Sequence, residues 1–171
     1  IFNIQNTLFV GNLKIYKHDV EMIKIDTIFY IIAPFLEEIG SNTFRKMSNL
    51  ILVYAPQLQK IGSSAFYQCY MLTKVIGRKI VTIGDSAFED CYCLRDICFD
   101  SSQKIGFKSC KNSGFKIISL PKPTSVDKIS DLFQHLYQQE NIDLPNITSF
   151  DLDKIIFCEN LRVIRLPKAT E

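Results

Sequence analysis

A fixed interval of 22 residues constrains this chain more than any other feature. Ile-Gly recurs as Ile39-Gly40, Ile61-Gly62, Ile83-Gly84 and Ile105-Gly106, each pair 22 residues after the last. Phe44, Phe66 and Phe88 keep the same step, and so do Met47, Cys69 and Cys91, then Leu50, Leu72 and Leu94, then Val53, Val75 and Ile97. Upstream of the glycines, Leu36, Leu58 and Ile80 hold the interval, as do Ala33-Pro34 and Ala55-Pro56. One such unit cannot bury its own apolar side. Stacking units lets each side chain pack on its equivalent above and below, which makes a solenoid.

The pattern loosens toward the C-terminus. Phe115, Ile118, Leu120 and Pro121 form one line, Ile142-Asp143-Leu144-Pro145 belongs to the next, and Leu161, Ile164, Leu166 and Pro167 form the last. Val126, Ile129, Phe133 and Leu136 fill the intervening slots with one residue deleted, and Ile147, Phe150, Ile155 and Cys158 fill them again without deletion. Positions 33, 55, 77, 99, 120, 144 and 166 mark successive coils, so residues 1–171 read as a single domain of about seven coils. Met22, Ile25, Ile28 and Ile31 extend the register upstream. Before about residue 15 no register is assignable.

Each Leu-x-x-Leu-x-Leu segment predicts a short strand, paired in parallel with the next coil at ~4.8 Å, for a stack of roughly 35 Å. Pro after the strand ends the ladder, because it has no N–H to donate. Gly after Ile fits a turn with positive φ or a close backbone approach, and these residues read as turn glycines. Alternation along the strands places Tyr30, Ile32, Leu52, Tyr54, Lys74, Ile76, Asp96 and Cys98 outward. Ile117, Ser119, Asn141, Asp143, Val163 and Arg165 follow. The face is therefore aromatic and aliphatic in its N-terminal half and polar and charged in its C-terminal half.

The run Leu58-x-x-Ile61-Gly62-x-x-Ala65-Phe66-x-x-Cys69-x-x-Leu72 repeats at Ile80-x-x-Ile83-Gly84-x-x-Ala87-Phe88-x-x-Cys91-x-x-Leu94. It resembles the BspA-like, treponemal-type leucine-rich repeat. The resemblance is strong over residues 36 to 97 and degenerate beyond. It implies an α/β leucine-rich-repeat solenoid, with a parallel β-sheet on the concave face and loops and short helices on the convex face. Family members are typically surface or secreted proteins, several of them adhesive, and the family offers no general catalytic residues. Units near Cys110 and Phe133 have lost the Ala-Phe signature, so a kink or widening is expected there. No Asn occupies the position that ordinary leucine-rich repeats use to bond their loop backbone.

Composition narrows the function classes. Apolar residues make up 47% and charged residues 22%, a globular balance, and the net charge of +2 gives no electrostatic reason to expect nucleic acid or an anionic membrane. The longest apolar run, Ile28 to Leu36, is shorter than the ~20 residues of a spanning helix. The chain starts at Ile1-Phe2-Asn3 with no initiator Met or signal-peptide pattern, so it reads as an internal or processed piece of a longer protein.

The candidate chemistry is sparse. Cys69, Cys91 and Cys158 fall in the inward Cys slot and read as buried thiols, while Cys98 points outward and is the most reactive candidate. Equivalent cysteines on adjacent coils project in parallel, which disfavours disulfides. Cys91, Cys93 and Cys98 lack the paired spacing of a zinc site. His18 and His135 have no nucleophile or carboxylate at a catalytic spacing, so neither enzymatic activity nor a cofactor is expected. Gly40, Gly62 and Gly84 are a coil apart, unlike the clustered glycines of a phosphate loop. Ser125 to Gln139 predicts a convex-side helix, and Asn146-Ile147-Thr148 matches a glycosylation acceptor.

The expected function is protein binding, through Tyr30, Ile32, Leu52, Tyr54, Lys74, Ile76 and Asp96. The surrounding protein is expected to be an adhesive or ligand-binding surface protein; the alternative is an intracellular scaffold. An N-terminal segment or a second copy of the chain could instead cover the apolar half of the face. The open end at Leu166-Pro167 invites self-association.

Overall fold

The computed structural model describes residues 1–120, 138, 140–146, 153 and 158–168. In chain order its strands and one helix are β1 (Phe2–Ile4), β2 (Thr7–Phe9), β3 (Lys14–Ile15), α1 (Lys17–Val20), β4 (Tyr30–Ile32), β5 (Glu38–Ile39), β6 (Leu52–Tyr54), β7 (Lys60–Ile61), β8 (Lys74–Ile76), β9 (Thr82–Ile83), β10 (Asp96–Ile97), β11 (Lys104–Ile105), β12 (Ile117–Ser119), β13 (Asn141–Asp143) and β14 (Val163–Arg165). A strand precedes each of the seven coil markers read from the sequence. Besides α1, the described residues hold a 3-10 turn at Ile25–Thr27 and a 3-10 residue at Asp153, so the described part of the solenoid carries far less helix than an α/β label suggests. The convex helix predicted over Ser125 to Gln139 lies outside the described residues, apart from Gln138 in a turn. Ile147, Phe150 and Ile155 also lie outside them.

Each coil has three sides. The first is the predicted strand. Strands β2, β4, β6, β8 and β10 pair in parallel, with Ile31, Val53 and Val75 in line and buried. Its end is set by a turn: Leu36 N–H donates to Ala33 O at 3.2 Å, and Leu58 N–H to Ala55 O at 3.0 Å. Pro34 and Pro56 therefore stand second in a four-residue turn, where a fixed φ suits the backbone. The second side is a further parallel sheet, in the order β11-β9-β7-β5-β3. The repeat did not reveal it as a strand, because only two residues of each coil take part. Ile15, Ile39, Ile61, Ile83 and Ile105 are its buried residues.

The glycines close that second side, and of the two roles the sequence allowed, positive φ or close backbone approach, they serve the second. None has positive φ. A Cβ on Gly62 would lie 2.5 Å from Ser41 N and 2.6 Å from Gly40 C, and one on Gly84 would lie 2.4 Å from Ser63 N. The glycines let one coil's backbone touch the next. Positive φ falls instead on Asn42, Ser64, Ser86 and Lys108, and on Lys46, Gln68, Asp90 and Asn112, two ladders at the repeat interval. Asn, Asp and Gly tolerate this region best, and Lys, Gln and Ser show that the stack imposes it.

The third side, the convex wall, is hydrogen-bonded from coil to coil as well. Asn42, Phe44 and Lys46 N–H donate to Ser63, Ala65 and Tyr67 O at 2.9, 2.9 and 2.8 Å. Ser64, Phe66 and Gln68 donate to Asp85, Ala87 and Glu89, and Ser86, Phe88 and Asp90 to Phe107, Ser109 and Lys111. Behind this wall the phenyl rings stack, Phe44 on Phe66 at 5.5 Å and Phe66 on Phe88 at 5.4 Å. Such pairs add ~0.5–1.5 kcal/mol beyond the burial of their area. Cys69 and Cys91 donate S–H to Phe44 O and Phe66 O, both at 3.1 Å. The Cys slot thus supplies a small donor to the buried carbonyl of the coil before.

The first coil departs from the register read for it. Met22 is 96% exposed, and Ile23 packs against the core in its place. The residues before 15 form a β1–β2 hairpin, with Gln5 at φ 53 in a two-residue loop. Strand β2 then adds in parallel to β4, matching Thr7, Leu8 and Phe9 to Tyr30, Ile31 and Ile32.

The stack changes at the coil that Phe99 marks, the fifth when the coil of β2 is counted as the first. β10 ends the six-stranded sheet, and β12, β13 and β14 form a separate three-stranded sheet. Cys110 takes the slot of Phe88, and Phe99 takes the slot of Ala33, Ala55 and Gly77. Phe99 and Phe115 meet edge-to-face at 5.5 Å and both are buried. Bulk has moved from the convex side of the coil to the concave side.

Candidate functional site

Alternation along three-residue strands builds the concave face. In each of β4, β6 and β8 the middle residue is buried and its neighbours face out. Register aligns the outward residues in two rows. One row runs Thr7, Tyr30, Leu52, Lys74 and Asp96; the other runs Phe9, Ile32, Tyr54 and Ile76. Tyr30 and Tyr54 are 40% and 38% exposed, Asp96 is exposed, and Ile32, Leu52, Lys74 and Ile76 are half-buried by their row neighbours.

Every one of the seven residues singled out from the sequence therefore lies on one continuous face. Apolar groups occupy β4 and β6 completely. On β8 and β10 the first row changes character, because Lys74 pairs with Asp96. The two charges neutralise each other at the edge of the apolar region. A groove of about 260 Å3 opens there, between Lys74, Ile76, Arg78, Asp96 and Cys98.

The face extends further than the repeat reveals. β1 pairs antiparallel with β2, placing Phe2 opposite Phe9 and Ile4 opposite Thr7. Phe2 stacks on Phe9 at 5.0 Å, and Phe2 and Ile4 are more than half exposed. The N-terminal segment thus adds to the apolar face and does not fold over it. A small apolar hollow of about 190 Å3 lies between Phe2, Phe9, Val10, Ile32 and Pro34. The missed signal was the alternation of Thr7-Leu8-Phe9. It was hidden because β2 and β4 are 23 residues apart, and β3 and β5 are 24 apart.

The C-terminal sheet carries a different face. Ile117, Asn141 and Val163 align, as do Ser119, Asp143 and Arg165. Beside them Lys116 and Glu140 pair at 3.0 Å, and that bond holds the Glu140 carboxyl below its ordinary range.

None of the six cysteines, all among the described residues, forms a disulfide. Burial pushes the Cys69 and Cys110 thiols up to about 12, and it raises Cys91 well above the usual range. Cys158, assigned to the same slot, is only partly buried. Cys98 lies just past β10, and desolvation raises its thiol above the ordinary range, which lowers the share of thiolate that reactivity requires. Among the described residues no cluster of His, Cys, Asp or Glu is arranged to hold a metal. No helix among them is long and apolar enough to cross a membrane.

Comparison with known proteins agrees with this architecture. The BspA type leucine-rich repeat region matches in six copies over residues 24–133 and 59–171. The leucine-rich repeat protein of T. pallidum, TpLRR, superposes over 92% of this chain and 78% of its own, with 15% identity and a TM-score of 0.72. A leucine-rich repeat protein from Bacteroides ovatus covers 93% of this chain with 44% of its own length, at 20% identity and a TM-score of 0.50. No curated protein sequence matches significantly. The repeat, the stacked coils and the family match together place this chain in the BspA-type leucine-rich repeat family.

Proposed function

We propose that this chain is a protein-binding module whose partner lies across the N-terminal half of the concave face. One observation carries the reading: Phe2, Phe9, Ile32, Tyr54 and Ile76 form an unbroken apolar row, with Tyr30 and Leu52 beside it. Contiguous exposed apolar surface on a rigid sheet marks an interaction site, and Tyr offers a large, rigid contact with a polar tip. Lys74 and Asp96 border the patch and give orientation more than affinity. The reading assigns no catalytic role to any residue and requires neither cofactor nor nucleic acid.

The surrounding protein is proposed to be an adhesin or ligand-binding protein at the cell surface or secreted. Six cysteines without a disulfide favour a second reading, an intracellular scaffold, since oxidising compartments favour disulfides. A signal sequence in the complete reading frame decides between them. The binding reading is tested by a pull-down with the full-length protein, mass spectrometry of the captured protein, and affinity measurement with the purified partner. Tyr54→Ala and Tyr30→Ala are expected to weaken binding about tenfold, with unchanged circular dichroism. Unchanged affinity in both variants removes the site assignment.

A further inference from the structure

Among the described residues, the convex wall has an open edge at its first rung, and that edge borders a cavity. The peptide units 41–42, 43–44 and 45–46 all lie along the solenoid axis, with their N–H groups toward the next coil. A trans peptide then aims its carbonyl the opposite way. In later coils these carbonyls, Ser63, Ala65 and Tyr67, receive Asn42, Phe44 and Lys46 N–H. The coil before residue 41 does not repeat the arrangement. Asp19 N–H donates to Tyr16 O at 3.0 Å and Ile23 N–H to Val20 O at 3.0 Å, so these donors are used within the first coil. Among the described residues, no donor reaches the carbonyls of Ser41, Thr43 and Arg45.

Where that rung is missing, a cavity of about 520 Å3 lies between Lys17, Val20, Glu21, Ile23, Ile25, Asn42, Thr43, Arg45 and Lys46. Its floor is aliphatic, and its rim carries three cations against one carboxylate. The three aligned acceptors are the negative end of hydrogen-bonded peptide columns that run through four coils.

We propose that this edge binds a polypeptide segment that takes up the backbone conformation of the wall and adds one rung to it. The segment donates alternate backbone N–H groups to Ser41, Thr43 and Arg45 O, places an apolar side chain over Val20, Ile23 and Ile25, and sets acidic side chains against Arg45 and Lys46. The solenoid already shows this chemistry further along the same wall. Glu89 pairs with Lys111 at 3.2 Å, and Asp90 accepts from Asn112 at 2.8 Å, in the same two columns as Arg45 and Lys46. An acidic rung on a basic one is therefore a pairing this wall accommodates. Backbone addition supplies affinity and the side chains supply selection, as in other strand-addition sites. The site is separate from the concave face and does not depend on the function proposed for it.

The test uses the whole chain and a labelled peptide with the sequence of residues 85–91, acetylated and amidated, carrying Phe88→Val and Cys91→Ser. Valine there matches Val20 in size. In register, its backbone N–H groups at positions 86, 88 and 90 face Ser41, Thr43 and Arg45 O. Fluorescence anisotropy is expected to show saturable binding. Methylating those three peptide nitrogens, with every side chain kept, is expected to weaken it at least about tenfold. Arg45→Glu in the chain is expected to weaken it about fivefold, and Tyr54→Ala is expected to leave it unchanged. No saturation up to about 1 mM, or equal binding of the methylated peptide, overturns the proposal. So does a dimer in sedimentation equilibrium that the peptide dissociates, because it assigns the edge to a second copy of the chain.

Discussion

Strands β4, β6, β8 and β10 and strands β12, β13 and β14 obey the same repeat, yet they stack in two separate sheets. In the first region most buried slots hold the same residue type from coil to coil, so each coil meets its neighbour in the same way. Ile39, Ile61 and Ile83 sit in line, and so do Phe44, Phe66 and Phe88. At the fifth coil two slots change together: Phe becomes Cys110, and Ala or Gly becomes Phe99. The spacing also shortens, since Ile117 follows Asp96 by 21 residues. The second sheet and the convex wall continue through this coil to Ile105 and Lys111, while the concave sheet divides between β10 and β12. The concave sheet therefore breaks where its slot enlarges to Phe99, while the convex wall continues through the same coil although its own slot shrinks to Cys110.

The largest effect should come from interrupting the regular region. Phe66→Ala removes the middle ring of the stack and leaves a cavity, and is expected to cost about 4 kcal/mol in urea unfolding. A loss below about 1 kcal/mol would show that neighbouring rings close the gap.

Restoring the consensus at the fifth coil tests the cause of the break. Phe99→Ala alone is expected to cost about 3 kcal/mol, and Cys110→Phe alone about 2 kcal/mol through overpacking. The double variant is expected to be more stable than the sum of these by at least about 1 kcal/mol. Strict additivity in a double-mutant cycle would separate the two slots.

Gly62→Ala tests whether coil-to-coil contact needs glycine. Its Cβ would meet backbone, not the movable end of a side chain. A loss of about 2 kcal/mol is expected, with reduced hydrogen-exchange protection in β5 and β7. Unchanged protection there would show that the second sheet absorbs the methyl group.

The smallest effect belongs to the ion pairs on the regular side. Lys60 bonds Glu38 at 2.8 Å and Lys14 lies at 3.3 Å, which together hold the Glu38 carboxyl below its ordinary value. A depressed carboxylate contributes stability above its unfolded value and loses it as the pH falls through the folded one. Glu38→Gln is expected to cost about 0.5 kcal/mol at neutral pH. Its Tm deficit should shrink below about pH 4. A deficit that stays constant with pH would assign it to packing instead.

The repeat made the concave strands, the buried Ile, Phe and Cys columns, and the seven outward residues readable in advance. Each of these depends only on periodicity and alternation. Three features were not readable, for separate reasons. The second sheet uses two residues per coil, too few to show a period of two. The β1–β2 hairpin is displaced by insertions of one and two residues. Ile-Gly allowed either positive φ or a close backbone approach, and choosing between them required the distance between backbones.

By itself, then, the sequence determined the coil: its length, its inward residues, and the residues that a stacked strand must turn outward. Those follow from local geometry, repeated. Only the tertiary structure decided how far the apolar face extends, where the concave sheet divides, and which carbonyls remain open at the first coil. These depend on how one coil meets another, and a mismatch of one or two residues between neighbours alters that meeting without altering either coil's own pattern.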